Sequence, residues 1–273
     1  MIIDGHAHAA GVFFEKETLI AELDRLGVDK IVLAPMGVKN DPKFSATNMD
    51  ESFSDGNPLN WLKKIYEFFE HFSDIIYDKP NEYLFSLKQQ CPDRIIQYYW
   101  ANPNDTNIMQ ELETHLPLWK FSGVKLHQMV ANFDTNQPSM HHIADFCKIH
   151  DMPLFIHLFK PKHISQFCEL VKQHPQTNFI VAHMIGYDKI TSNCFGLDNF
   201  WFDISPSYFV TEKQIIKALN KYGSDRLMLG SDTPLGGNNL LEKNIHRINT
   251  MGGLDDIDRE KILGNNLKTI LKL

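Results

Sequence analysis

One local pattern runs through the whole chain: a short apolar run suited to a strand, then a longer stretch whose apolar residues recur at helical spacing. The runs are Met1–Asp4, Lys30–Ala34, Ile95–Trp100, Gly123–His127, Leu154–His157, Phe179–His183, Trp201–Ile204 and Leu227–Gly230. Amphipathic stretches separate them at Lys16–Leu26, Pro58–Gln90, Asn107–Trp119, Ser139–His150, His163–Gln173, Thr211–Tyr222 and Leu240–Thr250. Strands alternating with helices form parallel βα units, and eight such units close on themselves as a (β/α)8 TIM barrel. An open doubly wound sheet is the alternative, but no Gly-x-Gly-x-x-Gly turn follows the first strand. At 273 residues the chain has the length of one such barrel, so residues 1–273 are read as a single domain.

Composition narrows the function classes. Hydrophobic residues make up 43%, enough for a large core, and the formal net charge is −7. No run of Lys and Arg offers a face for nucleic-acid phosphates. No membrane-spanning segment is found, and polar residues from Asp4 onward interrupt what would have to be the apolar core of a signal peptide. Cys91, Cys147, Cys168 and Cys194 are widely spaced, which indicates neither a disulfide framework nor a thiolate zinc site. A reducing cytoplasm is the expected compartment.

Two stretches break the alternation. Residues 36–57 are rich in Asn, Asp, Ser and Gly and leave the end of the second strand, so a long loop or lid over the barrel mouth is expected there. The tail reads as two short helices, Asp258–Leu263 and Asn265–Leu271, hinged at Gly264.

The polar residues gather at one end of the expected strands. His6 and His8 follow the first, and side chains two apart leave a strand by the same face, which suits chelation of a metal. Lys125 and His127 end the fourth strand, His157 the fifth, His183 the sixth and Asp203 the seventh; Asp232 stands just past the eighth. Any one of these histidines alone would be an ordinary hydrogen-bonded residue at a strand end. In a barrel, however, all of these tips share one rim, where the catalytic groups of this fold sit.

With these residues in place, the chain resembles the amidohydrolase superfamily, and within it the amidohydrolase-related group that includes the carboxymuconate-semialdehyde and resorcylate decarboxylases. The matching segments are IDGHAH, GVKLH, PLFIHLF, FIVAHMIG, LMLGSDTP and KILGNNLKTIL, in that order along almost the whole chain. The resemblance implies that His6, His8, His157 and Asp232 bind one divalent metal ion, with His183 beside it as an acid/base group. Neutral imidazoles with one carboxylate favour Zn2+, while Mn2+, Fe2+ or Co2+ also suit them. Asp232 is then placed to take a proton from metal-activated water, and His183 to orient that water or steady oxyanion charge.

In some superfamily members a carboxylated lysine on the fourth strand bridges two metals. Here a single metal is expected, with Lys125 and His127 meeting substrate; an ion pair between Lys125 and Asp203 is the structural alternative. Asp203 either accepts a hydrogen bond from a ligand histidine or caps the next loop. The expected function is hydrolysis of a small carboxylated, amide or lactone/ester substrate, anionic in character. Non-oxidative decarboxylation or hydration on the same metal site is the alternative, and a catalytically silent metal-binding barrel is the reading from another class. A homodimer is compatible with all three.

Overall fold

A computed structural model describes residues 1–35, 80–235 and 237–273. Eight parallel strands follow one another in sequence order: β1 Ile3–His8, β2 Lys30–Ala34, β3 Ile95–Trp100, β4 Gly123–His127, β5 Leu154–His157, β6 Phe179–Val181, β7 Phe200–Asp203 and β8 Leu227–Met228. The seam between last and first is bridged by backbone hydrogen bonds. Gly5 N–H donates to Leu229 O (2.9 Å), Ser231 and Asp232 N–H both donate to His6 O (3.0 and 2.7 Å), and His8 N–H donates to Thr233 O (2.9 Å). The fold is therefore the (β/α)8 barrel expected from the alternation.

Apolar side chains pack in two shells. Ile3, Val32, Ile96, Tyr98, Phe155, Ile180 and Met228 fill the barrel interior, and Leu267 and Ile270 of the terminal helix Asn266–Leu271 join them. A larger cluster lies between the strands and the surrounding helices, including Leu19, Leu23, Phe167 and Phe179. Such a barrel is solid below its rim, so chemistry is confined to the ends of the strands.

Several boundaries differ from the sequence expectation, each for a local reason. β1 does not stop at Asp4 but runs through His8, because its backbone pairs with both β2 and the segment after β8. β6 ends at Val181, two residues early, since His183 and Met184 have φ of 57° and 51° and cannot continue a strand. The helix Tyr187–Asn193 was not expected at all: at seven residues it is too short to show helical periodicity. Gly264 is not a hinge. It lies in a π-helical turn, Lys261–Asn265, inside a continuous helical tail, and a Cβ there would come 2.4 Å from the Met1 carbonyl oxygen. The glycine thus permits close approach of the tail to the start of β1. The expected lid at 36–57, and the expected helix from Pro58 up to residue 79, lie outside the described residues; the helix Pro80–Gln90 is observed.

Candidate metal centre

His6, His8 and Asp232 are brought together by β1 and by the segment that follows β8, and all three are buried. One ligand atom from each lies within 4.8 Å of the other two. His8 Nε2 is 3.2 Å and His6 Nε2 3.4 Å from Asp232 Oδ1. Asp232 has φ of 62°, a region L residues avoid unless surrounding structure enforces it. Its backbone N–H is held by His6 O, so the bond that closes the barrel also presents the carboxylate.

A second group of the same kind comprises His6, His183 and Asp203. Its geometry is that of supporting hydrogen bonds. His6 Nδ1–H donates to Asp203 Oδ2 at 2.9 Å, which leaves Nε2 turned toward Asp232. His183 Nδ1–H donates to the Ser205 carbonyl at 2.7 Å, and its Nε2 lies 3.7 Å from Asp232 Oδ2. Asp203 also accepts from Ser205 N–H (2.9 Å), Ser205 Oγ–H (2.7 Å) and His183 N–H (3.2 Å). Asp203 thus hydrogen-bonds both to the His6 ring and to the loop that follows β7. Because His6 is common to both groups, they describe one centre.

The donor set fits a divalent cation: two imidazole nitrogens and a carboxylate oxygen, buried, with their lone pairs near one point. His8 Nδ1 and His157 Nδ1 are in addition buried without a hydrogen-bond partner. Burial pushes the His6, His127 and His157 imidazoles well below their ordinary pKa, and nearby positive groups add to the effect. His8 is lowered too, with Asp232 acting in the opposite direction. Neutral imidazoles are the form that binds metal.

Lys125 lies within the cluster. Its side chain is 1% exposed, Nζ lies 2.9 Å from His6 Nε2 and 3.8 Å from the Phe155 ring centroid, and its pKa is lowered to about 7 by burial, against the pull of Asp232 and Asp203. It does not form the close ion pair with Asp203. Its ammonium therefore lies beside the same His6 nitrogen that faces Asp232. His127 ends β4 opposite His157 in register, with their rings stacked 4.0 Å apart at 12°. His157 in turn lies 5.0 Å from the His183 ring.

Other residues with a part here were not singled out in the sequence. Asp4 is wholly buried and accepts from Ser231 Oγ–H (2.6 Å), Ser231 N–H (2.9 Å) and His6 N–H (3.2 Å), tying β1 to the turn that carries Asp232. Arg247, from the helix Leu240–Thr250, donates to Ile204 O (2.7 Å) and Val210 O, holding the loop that carries Ser205. A Cβ on Gly230 would fall 2.2 Å from Asp203 Oδ1 and 2.9 Å from His6 Cβ, so only glycine leaves room for this pair. Trp100, at the tip of β3, stacks on the far face of His127 at 5.8 Å. A carboxylate in the apolar IDG run was the one available sign for Asp4; Trp100 reads as ordinary core. Phe159 is half exposed just beyond β5, while the Trp201 indole N–H donates to Asp225 O, ahead of β8.

A buried His/Asp metal-binding centre on the C-terminal rim of a (β/α)8 barrel defines a metal-dependent enzyme of the amidohydrolase type. The chain belongs to the amidohydrolase family, whose model matches residues 3–272. No curated protein matches it significantly. Solved structures share its fold at low identity. A 2,6-dihydroxybenzoate decarboxylase from Rhizobium has a TM-score of 0.67 and 14% identity over 99% of this chain and 98% of its own. A probable 2-pyrone-4,6-dicarboxylic acid hydrolase from Acinetobacter baumannii, with citric acid bound, has 0.67 and 19% over 100% and 99%. The 4-oxalomesaconate hydratase of Rhodopseudomonas palustris has 0.66 and 15% over 100% and 96%. No helix among the described residues is long and apolar enough to cross a membrane.

Proposed function

We propose that this protein hydrolyses a small carboxylated, amide or lactone/ester substrate with one divalent metal ion, most simply Zn2+, held by His6, His8, Asp232 and His157. The observation that carries the proposal is the convergence of His6 Nε2, His8 Nε2 and Asp232 Oδ1 in a buried site with His183 alongside. Such an ion supplies Lewis acidity, polarising a carbonyl and making water more acidic. The Asp232 carboxylate accepts the proton that water gives up. His183 has its Nδ1–H committed to Ser205, so Nε2 is the atom it offers to the reacting group. Asp203 keeps the His6 ring in one tautomer, and the ring's Nδ1 hydrogen bond increases the basicity of Nε2.

The three similar structures carry the names of a decarboxylase, a hydrolase and a hydratase, which supports a small carboxylate as substrate and leaves the bond to be broken as the point to test. The test is a panel of lactones, esters, amides and aromatic carboxylates, assayed for water addition and for CO2 release. Water addition to a lactone, ester or amide supports hydrolysis. Release of CO2 alone would replace it with decarboxylation. No turnover on any member, with metal bound, would favour the silent barrel.

A further inference from the structure

The histidines of the centre are held in two different ways. His6 is oriented by the Asp203 carboxylate and His183 by the Ser205 carbonyl, each through an Nδ1–H hydrogen bond. His157 has no such partner: its Nδ1 is buried and unpaired. A ring free to turn about its side-chain torsions is a poor ligand, so something else must fix its plane.

That constraint lies in the ring next to it. His127 and His157 are directly opposed in the β4–β5 register, and their rings stack at 4.0 Å and 12°. His127 is itself fixed, because its Nδ1 accepts the Met129 N–H at 3.2 Å. Trp100 closes the stack on the other side, 5.8 Å from His127 and tilted 15°. The Trp100 backbone is pinned by Asn81, whose side-chain amide accepts from Trp100 N–H (2.8 Å) and donates to Trp100 O (2.9 Å). The chain of support therefore runs from Asn81 through two rings, Trp100 and His127, to His157.

We infer that Trp100 and His127 are positioning residues that orient His157 toward the metal by ring stacking, where His6 and His183 use hydrogen bonds. The inference rests on the metal reading above. It assigns His127 a structural task that operates without substrate. Stacked aromatic pairs contribute enough to favour one ring orientation, and losing a group that orients a metal-bound histidine typically weakens metal binding by roughly 10- to 100-fold.

The test measures metal affinity by chelator competition, and the visible spectrum of the Co2+-loaded protein, for wild type, His127→Phe, His127→Ala and Trp100→Leu. His127→Phe keeps a flat ring held between Trp100 and His157 although it gives up the Met129 N–H bond, so it should hold metal within about threefold of wild type and keep the Co2+ band shape. His127→Ala should lose at least about tenfold in affinity and alter the Co2+ spectrum, with Trp100→Leu intermediate. A His127→Ala protein that binds as wild type does would overturn the inference. So would a His127→Phe protein as weak as His127→Ala at unchanged thermal stability, since that would mean the nitrogens act rather than the ring face. A wild-type protein that takes up no metal would instead overturn the metal reading itself.

Discussion

Asp203 and Gly230 occupy the same small space: the Asp203 carboxylate that orients His6 lies where the first side-chain carbon of any other residue at 230 would stand. The barrel closure between β8 and β1 is thus built around the pair His6–Asp203, and closure and site geometry cannot be altered separately.

Gly230→Ala should therefore cost both stability and metal. The new methyl, 2.2 Å from Asp203 Oδ1, forces the carboxylate or the β8 segment aside. Overpacking of this kind costs about 1–3 kcal/mol, read as a lower denaturation midpoint, together with metal content well below wild type. A variant equal to wild type in both would show that the segment yields freely.

Asp203→Asn separates orientation from packing. The amide keeps the volume but loses the charge that draws the His6 N–H, and metal affinity should fall roughly 10- to 100-fold. Chelator competition checks this. Unchanged affinity would leave Asp203 only its role on the Ser205 loop.

Asp232→Asn and His183→Asn leave the backbone undisturbed because Asn tolerates the left-handed conformation that both positions adopt (φ 62° and 57°), and turnover is compared at equal metal content because Asp232 is also a ligand. Asp232→Asn should lose nearly all turnover on the true substrate, because a neutral amide cannot take a proton from water. His183→Asn should lose most turnover and keep most metal. Wild-type kcat in either variant would remove its proposed role.

Much of this site could be read from the sequence because its donors sit at strand tips. Lys30–Ala34, Ile95–Trp100, Gly123–His127 and Leu154–His157 match the expected strands, since short apolar runs bounded by helical stretches have few other ways to fold. What could not be read depends on contacts across the seam and on backbone strain. Nothing local to Asp4 shows its bonds to Ser231, 227 positions away. The left-handed turn at His183 is imposed by its bonds to Asp203 and Ser205. The contact of Lys125 Nζ with His6 Nε2 joins residues 119 positions apart, and no local pattern in the sequence shows it.

The buried histidines also set a pH dependence. His6, His8, His127 and His157 have their pKa lowered by burial, so below about pH 6.5 the unfolded chain takes up protons that the folded, metal-free protein refuses. Stability contributed by their neutral state is complete above that pH and is lost as pH falls. Asp4, raised to about 7 by burial, and Asp203, also raised by burial, work in the opposite direction, two carboxyls against four imidazoles. Chemical denaturation of chelator-treated protein should give decreasing stability from pH 6.5 to 5.5. A flat or rising trend would contradict the burial of uncharged rings.

The central claim is that these side chains form one metal centre, and the most direct measurement is metal content by mass spectrometry after exhaustive dialysis, for wild type and for His8→Ala. The account predicts about one divalent ion per chain in the wild type and a large loss in His8→Ala, whose Nε2 faces Asp232 at 3.2 Å. Equal metal content in the two proteins, or none in either after loading with Zn2+ or Mn2+, would contradict it.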